Sequence, residues 1–398
     1  MKEIEASSLK NIIDTFPFSG EPISIKSTDT GLINSTYMLT FSDGNQDFQY
    51  VLQKINTNVF KKPDELMSNI MNVTGFLRNK INLSGGNAAR ETLTFLYTKE
   101  NTPYYRDENG GCWRSYKYIG KCYTCDKIDS EIKAFRSGKA FGKFQKMLSD
   151  YPAANLFETI PHFHDTPSRY EALKEAVKDN LSGRLQSVKN ELSFALDREK
   201  DASKLVDLAA EDRIPMRVTH NDTKINNVLF DSITNEAICV IDLDTIMPGL
   251  SLYDFGDSIR SGAVTSDENE QDLDKYGLDI ALFKSYTEGF LSEAGHALND
   301  EEIANLAFSA KLMTLECGVR FLTDYLNGDT YFKTDYPEHN LVRCKTQFKL
   351  VEDIEKHLDE MNACVDEIYR RSLTSPSVDL MMPTRISLSS ARWILPLA

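Results

Sequence analysis

Val218-Thr219-His220-Asn221-Asp222-Thr223-Lys224-Ile225-Asn226-Asn227-Val228-Leu229 interrupts a long helical pattern with a dense run of polar residues. Two β-like runs follow from it, Val228-Leu229-Phe230 and Ile238-Cys239-Val240-Ile241, with residues 231–236 (DSITNE) turning the chain between them. The pattern predicts a small hairpin in a region otherwise built of helices. Polar side chains crowd the start of the hairpin, and Asp242-Leu243-Asp244 stands just past its second run. An apolar strand that ends in acids is a poor choice for packing and a good one for holding charge.

The quoted stretch reads H-x-D-x-x-x-x-N, a spacing that serves phosphoryl transfer. Asp222 can accept or orient an attacking hydroxyl. The amide oxygen of Asn227 and the carboxylate of Asp242 can hold Mg²⁺ against nucleotide phosphates, because Mg²⁺ takes hard oxygen ligands and few of them from protein. A surface hairpin with solvated acids would need no such offsets, nor the acid at the end of the following strand.

Upstream, residues 20–115 read as strands with one helix. Residues 23–26, 37–41 and 48–55 are β-rich, and Ser42-Asp43-Gly44-Asn45 turns the chain between the last two. Residues 64–80 follow Pro63 as a helix with acids in its first turn. The segment Thr30-Gly31-Leu32-Ile33-Asn34-Ser35-Thr36-Tyr37 lies between strands, where a turn can cover phosphates; Gly31, Asn34 and Thr36 are its nucleotide-binding candidates. Lys54, in Val51-Leu52-Gln53-Lys54, stands where a kinase places its phosphate-pairing lysine, with Glu65 or Asp64 as a possible helix partner. Trp113-Arg114-Ser115-Tyr116-Lys117-Tyr118-Ile119-Gly120 reads either as a hinge, with the backbone of Tyr118 and Ile119 meeting adenine, or as an ordinary edge strand.

Beyond residue 130 the period is helical. Phe141, Phe144 and Leu148 mark a helix ending near Ser149, residues 168–212 keep helical spacing, and Leu350, Val351, Ile354, Leu358, Met361 and Val365 form a long apolar stripe. Residues 373–398 lose all periodicity and read as an appended tail. The expectation is an α+β chain with a two-lobed, protein-kinase-like fold: a mainly antiparallel nucleotide-binding lobe over 1–116 and a mainly helical catalytic lobe over 117–372.

Composition narrows the partners. A net charge of −15 argues against binding nucleic-acid backbones, and no apolar run is long enough for a membrane span. Seven cysteines, an odd number without a dense framework, suit reduced thiols and a cytoplasmic location. Cys122 and Cys125 make one C-x-x-C, but no second pair completes a zinc site. No obligate protein partner is implied.

The segments HNDTKINN, IDLDTIMPG and YDFGDSIR resemble the aminoglycoside phosphotransferase and choline kinase superfamily, and within it the N-acetylhexosamine 1-kinases. GLINSTY, VLQKIN, ETIPHFHDTP, ECGVRFLTDYLNGDTYF and YPEHNLVR extend the resemblance over residues 30–370. It implies transfer of the ATP γ-phosphate, with Mg²⁺, to the anomeric hydroxyl of N-acetylglucosamine or N-acetylgalactosamine. By position it implies Asp222 as catalytic base and substrate contact, Lys224 on the transferring phosphoryl, and Lys54 as the lobe lysine. Asn227 and Asp242 become Mg²⁺ ligands, with Asp244 a further ligand or a neighbour supporting them. Arg320 and Tyr331 match sugar-binding positions. Asp254 and His220 read as braces of the catalytic loop, and His162 and His164, in a family segment near the acceptor side, as structural residues in preference to direct sugar contacts. Leu32 and Ser261 stand where some members carry His and an aromatic residue, which leaves the sugar epimer and the N-acetyl requirement open.

A kinase of the same fold acting on a free hexose, choline or an aminoglycoside is the alternative. A protein kinase is disfavoured, since Asp242-Leu243-Asp244 replaces D-F-G and no A-P-E follows. A carbohydrate sulfatase would need C-x-P-x-R, which none of the cysteines starts. A pseudokinase would be expected to lack Asp222, Asn227 or Asp242.

Overall fold

The computed structural model describes residues 2–3, 9–28 and 33–374. Gly31, Leu32 and tail residues 375–398 lie outside the described residues.

Strands β1 (Glu21–Thr28), β2 (Ser35–Ser42) and β3 (Asp47–Ile55) pair antiparallel in chain order. The expected turn joins β2 to β3: the Asp43 carboxylate accepts the N–H groups of Asn45 and Gln46, and Gly44 takes a φ of 86°, a conformation that side-chain-bearing residues rarely adopt. Helix α1 (Pro63–Leu83) starts on its proline with Asp64 and Glu65 in the first turn. Strand β4 (Cys112–Lys117) then pairs with β3 on one side and with the short strands Phe95–Leu96 and Tyr105–Arg106 on the other. It is therefore interior to a seven-stranded sheet and not an edge strand.

The two faces of this sheet differ. Tyr50, Leu52 and Trp113 join Phe16, Ile25 and Leu39 in a cluster on one face. On the other, Ile55 and Cys112 meet Leu66, Met67 and Ile70 of α1 in the main core, which continues to Phe141, Phe144 and Phe255. Helix α1 thus ties the sheet to the helical half. Its apolar stripe, Leu66, Ile70, Val73, Leu77 and Ile81, is buried, each side chain stabilising the fold by about 1.5–3 kcal/mol. Polar contacts add to this tie, since Asn69 donates to the carbonyls of Phe157 (2.7 Å) and Ile246 (3.0 Å).

Helices α2 (Glu131–Leu148) and α3 (Thr166–Asp179) open the helical half. The expected run through 212 is broken: α3 stops where Asn180 takes a left-handed φ of 41°, and only short helices follow, Lys189–Leu196 and Lys204–Ala210. The hairpin appears as β6 and β7 between two further strands: β5 (Arg217–Thr219), β6 (Val228–Asp231), β7 (Ala237–Val240) and β8 (Met247–Gly249). β6 pairs with β7 and with Cys122–Tyr123, while β5 pairs with β8. Helices α4 (Ser251–Gly262), α5 (Ile280–Ala294), α6 (Leu306–Leu326) and α7 (His339–Thr374) complete the half.

Helices α2 and α5 touch backbone to backbone. A Cβ built on Gly138 would lie 2.1 Å from the Tyr286 carbonyl oxygen, and one on Gly289 would lie 1.9 Å from that of Phe135. Only glycine allows this approach, which sets Phe141 and Phe144 beneath the hairpin. The stripe on α7 is buried as its period predicts, Leu350, Val351, Ile354, Met361 and Val365 all facing the core. No helix among the described residues is long and apolar enough to cross a membrane.

Candidate active site

The loop between β5 and β6 carries His220, Asp222, Lys224 and Asn227, and buried acids on α4 hold it. The Asp254 carboxylate accepts the N–H groups of His220 (3.0 Å) and Asn221 (2.8 Å), and its carbonyl accepts the Thr223 hydroxyl (2.6 Å). Asp257 accepts the Thr223 N–H at 3.0 Å, and Ser258 donates to the Thr223 carbonyl. Thr245 donates to the His220 carbonyl, and Asn221 to that of Thr245. A loop with so many backbone groups engaged loses little further freedom when a ligand binds.

His220 joins the two arms of the site. Its Nδ1 accepts the Asp222 N–H at 3.3 Å, which places the proton on Nε2, donated to the Ile241 carbonyl at 2.8 Å. It is buried against the rings of Phe141 and Phe144. Next along the arms, Ile241 N–H donates to the Asn227 carbonyl at 2.9 Å, so Asn227 and Asp242 leave adjacent strands as neighbours.

Asp222 forms an ion pair of 2.9 Å with Lys224 and accepts from the Asn227 amide. Burial opposes the Lys224 charge, but Asp222 and, beyond it, Asp257 hold the ammonium above its ordinary value. Asp242 opens onto the cleft with a left-handed φ of 59°. Its carboxylate has no hydrogen-bond donor or ion-pair partner among the described residues. Surrounding protein, then the charges of Asp244 and Asp222, push its carboxyl up to about 6. An uncompensated carboxylate beside a free amide oxygen of Asn227 fits the partial oxygen set that Mg²⁺ takes when phosphates and water supply the rest.

Asp244 sits differently. One oxygen receives Arg114, the other the Asn34 amide at 2.5 Å, and all three side chains are buried. Asp244, expected as a further metal ligand or as a neighbour supporting the ligands, thus has each oxygen engaged by a protein side chain, unlike Asp242. Asn34 is engaged at both ends of its amide, donating to Asp244 and accepting the Asn56 N–H at 2.9 Å, so it ties the turn to Asp244. Thr36 accepts from Gln53, whose carbonyl oxygen in turn accepts from Arg114 at 2.8 Å.

Lys54 is not brought to this group. It lies opposite Trp113 in the sheet, with its ammonium 5.5 Å from the indole and near Asp107, on the face away from Asp244. Successive strand residues alternate faces, so Gln53 and Arg114 point to the cleft and Lys54 cannot. Glu65 pairs with Lys62 and Asp64 accepts from Tyr104, so neither is the partner of Lys54. Tyr118 is exposed and Ile119 buried where the chain leaves β4 for the helices.

Across the loop, Arg320 on α6 makes no ion pair among the described residues. Its guanidinium lies 5.7, 6.0 and 5.6 Å from the rings of Phe163, Tyr331 and Phe332. One turn earlier, Glu316 is occupied by His164 (2.9 Å) and Thr166 (2.6 Å), and His164 reaches the Asn221 carbonyl at 3.2 Å. His162 is exposed and pairs with Asp165. Asp324 gathers the loop bearing Tyr331: its carboxylate accepts the N–H groups of Thr330 (2.9 Å), Tyr331 (2.8 Å) and Phe332 (2.9 Å) and the Asn340 amide (2.8 Å). Ser261 turns its hydroxyl back onto the Asp257 carbonyl.

Arg114, Asp257 and Asp324 are members of the site that the sequence reading missed. For Arg114 a signal existed: a charge in the middle of an aromatic strand, opposite Gln53. For Asp324 there was none, since its partners are backbone groups of a loop.

Residues 127–283 match the phosphotransferase enzyme family, a segment holding α2, the loop, the hairpin and α4. The whole chain is similar in fold to several solved structures. Choline kinase from Cryptosporidium parvum Iowa II is 15% identical, with a TM-score of 0.55 over 92% of this chain and 100% of that one. A microcompartment-associated aminopropanol kinase is 13% identical, with a TM-score of 0.53 over 90% of this chain and 99% of that one. A spectinomycin phosphotransferase solved with ADP and spectinomycin is 14% identical, with a TM-score of 0.53 over 93% of this chain and 99% of that one. The chain has the two-lobed α+β fold of these phosphotransferases, and residues 127–283, which carry Asp222 and Asp242, are the part that matches the phosphotransferase enzyme family in sequence.

Proposed function

We propose that this protein is a cytoplasmic small-molecule kinase that uses ATP and Mg²⁺ to phosphorylate the anomeric hydroxyl of an N-acetylhexosamine, giving the sugar 1-phosphate. Nucleotide would lie between the N-terminal lobe (1–116) and the catalytic lobe (117–372), with the backbone of Tyr118 and Ile119 as the adenine contact. Asp222 orients the acceptor hydroxyl and takes its proton as the oxygen attacks. Lys224, held charged by Asp222 and Asp257, stabilises the oxygens of the group in flight. Mg²⁺, held by Asn227 and Asp242, would offset charge on the nucleotide phosphates.

The observation that carries the acceptor class is Arg320. It is a cation among three aromatic rings with no ion pair among the described residues, and Arg169, whose Nε lacks an acceptor there, is close enough for the two charges to repel. Carbonyl and hydroxyl oxygens of an amido sugar satisfy such donors, and flat rings suit the apolar face of a pyranose. Choline or an aminoglycoside would bring a second cation against the first. The test is ADP release with Mg·ATP on N-acetylglucosamine, N-acetylgalactosamine, glucose, galactose, choline and kanamycin, with phosphorus NMR of the product. Turnover on an N-acetylhexosamine with phosphate on the anomeric oxygen supports the reading; turnover confined to choline or kanamycin overturns the acceptor, and silence on all six overturns the activity.

A further inference from the structure

We infer that Arg114 is the cation through which the N-terminal sheet acts on the nucleotide site, a positioning residue that sets Asp242 by way of Asp244. The inference rests on the kinase reading above and goes beyond it by assigning a role that neither the motif nor the family segment contains.

Asp242 has no side-chain partner among the described residues and a left-handed backbone conformation uncommon outside glycine, asparagine and aspartate, so its position is set by its neighbours. On one side, His220 holds the Ile241 carbonyl. On the other, residues 243–245 make a single tight turn, and Asp244 within it is pinned from the sheet. Arg114 is 2% exposed and Asp244 4% exposed, so this pair is shielded from water and works at short range. The guanidinium spans two partners at once, Nε and one Nη on the Gln53 carbonyl oxygen and the other Nη on Asp244. A planar fork does this, while a lysine ammonium on a flexible stem would hold one partner and leave the other. Asn34, at the head of β2, grips the second oxygen of Asp244. Two segments of the sheet, the head of β2 through Asn34 and β4 through Arg114, therefore meet on one carboxylate two residues from Asp242, with Gln53 of β3 holding Arg114 in place. Lys54, one residue from Gln53, faces away from all of it.

The experiment is calorimetric binding of ADP, with and without Mg²⁺, to the full chain and to two variants. Arg114→Lys keeps the charge and loses the fork. The double variant Arg114→Gln with Asp244→Asn removes both charges together, so no buried ion is left alone. Both are expected to melt cooperatively and to bind Mg·ADP roughly 10–100-fold more weakly, the range seen when a residue supporting a metal ligand is lost. Binding of ADP without Mg²⁺ should change less than about twofold by the same logic, since only the metal's ligand has moved. Mg·ADP affinity equal to the parent protein in both variants overturns the inference while the kinase reading stands, as does an equal loss with and without Mg²⁺. A larger loss in Lys54→Met than in either Arg114 variant also overturns it. Failure of the parent protein to bind ADP under any condition overturns the kinase reading, and the inference with it.

Discussion

His220 Nε2 donates to the carbonyl of Ile241 at 2.8 Å, and this one bond joins the loop that carries Asp222 to the strand that presents Asp242. The ring is fully buried, so nothing else can take its place by simple rotation. His220→Ala should remove two hydrogen bonds and open a cavity against Phe141 and Phe144. Stability is expected to fall by about 2–4 kcal/mol in urea unfolding. A loss below about 1 kcal/mol would show that the brace is dispensable.

Asp222→Asn keeps the size of the side chain and cannot take a proton. We expect turnover to drop by about 10²–10⁴-fold while Mg·ADP affinity stays within a few-fold of the parent protein. Turnover equal to the parent would falsify the assignment of Asp222.

Asp242→Asn should leave the fold intact, since the carboxylate has no partner among the described residues, and removal of its charge relieves the crowding by Asp244 and Asp222. The gain in melting temperature that Mg·ADP confers on the parent protein is expected to vanish in the variant. In the parent it should vanish on adding a chelator. A Mg·ADP shift that survives both treatments would rule out Asp242 as a ligand.

Asp324→Ala would strip the carboxylate from three backbone N–H groups and Asn340, freeing the loop that carries Tyr331. The acceptor KM is expected to rise about tenfold or more, corresponding to at least about 1.4 kcal/mol, with the KM for Mg·ATP unchanged. Equal changes in both constants would point to global loosening and not to the acceptor side.

Gly289→Ala tests the backbone contact between α2 and α5. Its new Cβ would fall 1.9 Å from the Phe135 carbonyl oxygen, so the helices must part. A destabilisation of about 1–3 kcal/mol is expected in thermal or urea unfolding. An unchanged midpoint would mean that the helices can shift freely, against the packing described.

Much of the architecture was legible in the chain. β-rich runs at 23–26, 37–41 and 48–55 marked the first three strands, Pro63 with two acids marked the start of α1, and the stripe from Leu350 to Val365 marked α7. The hairpin after residue 227 was equally visible, because turn chemistry and hydrophobic period are local. The break after Asn180 was not, since helical spacing persisted through a region where tertiary packing accommodates only short pieces.

For the site, the same boundary holds. His220, Asp222, Lys224, Asn227 and Asp242 lie within 23 residues, and their offsets alone bring loop and strand end together. Lys54 was a matter of one residue of register: which of Gln53 and Lys54 faces the cleft depends on how β3 pairs with β4 and which face α1 covers. Arg114 meets Asp244 across 130 positions and Asn34 meets it across 210, contacts that no local pattern encodes. Short-range order was determined by residue type and spacing; the sharing of Asp244 between two distant segments, and the turning away of Lys54, were decided only when the sheet closed over α1, because side-chain direction in a strand is set by its partners and by the face that must be buried.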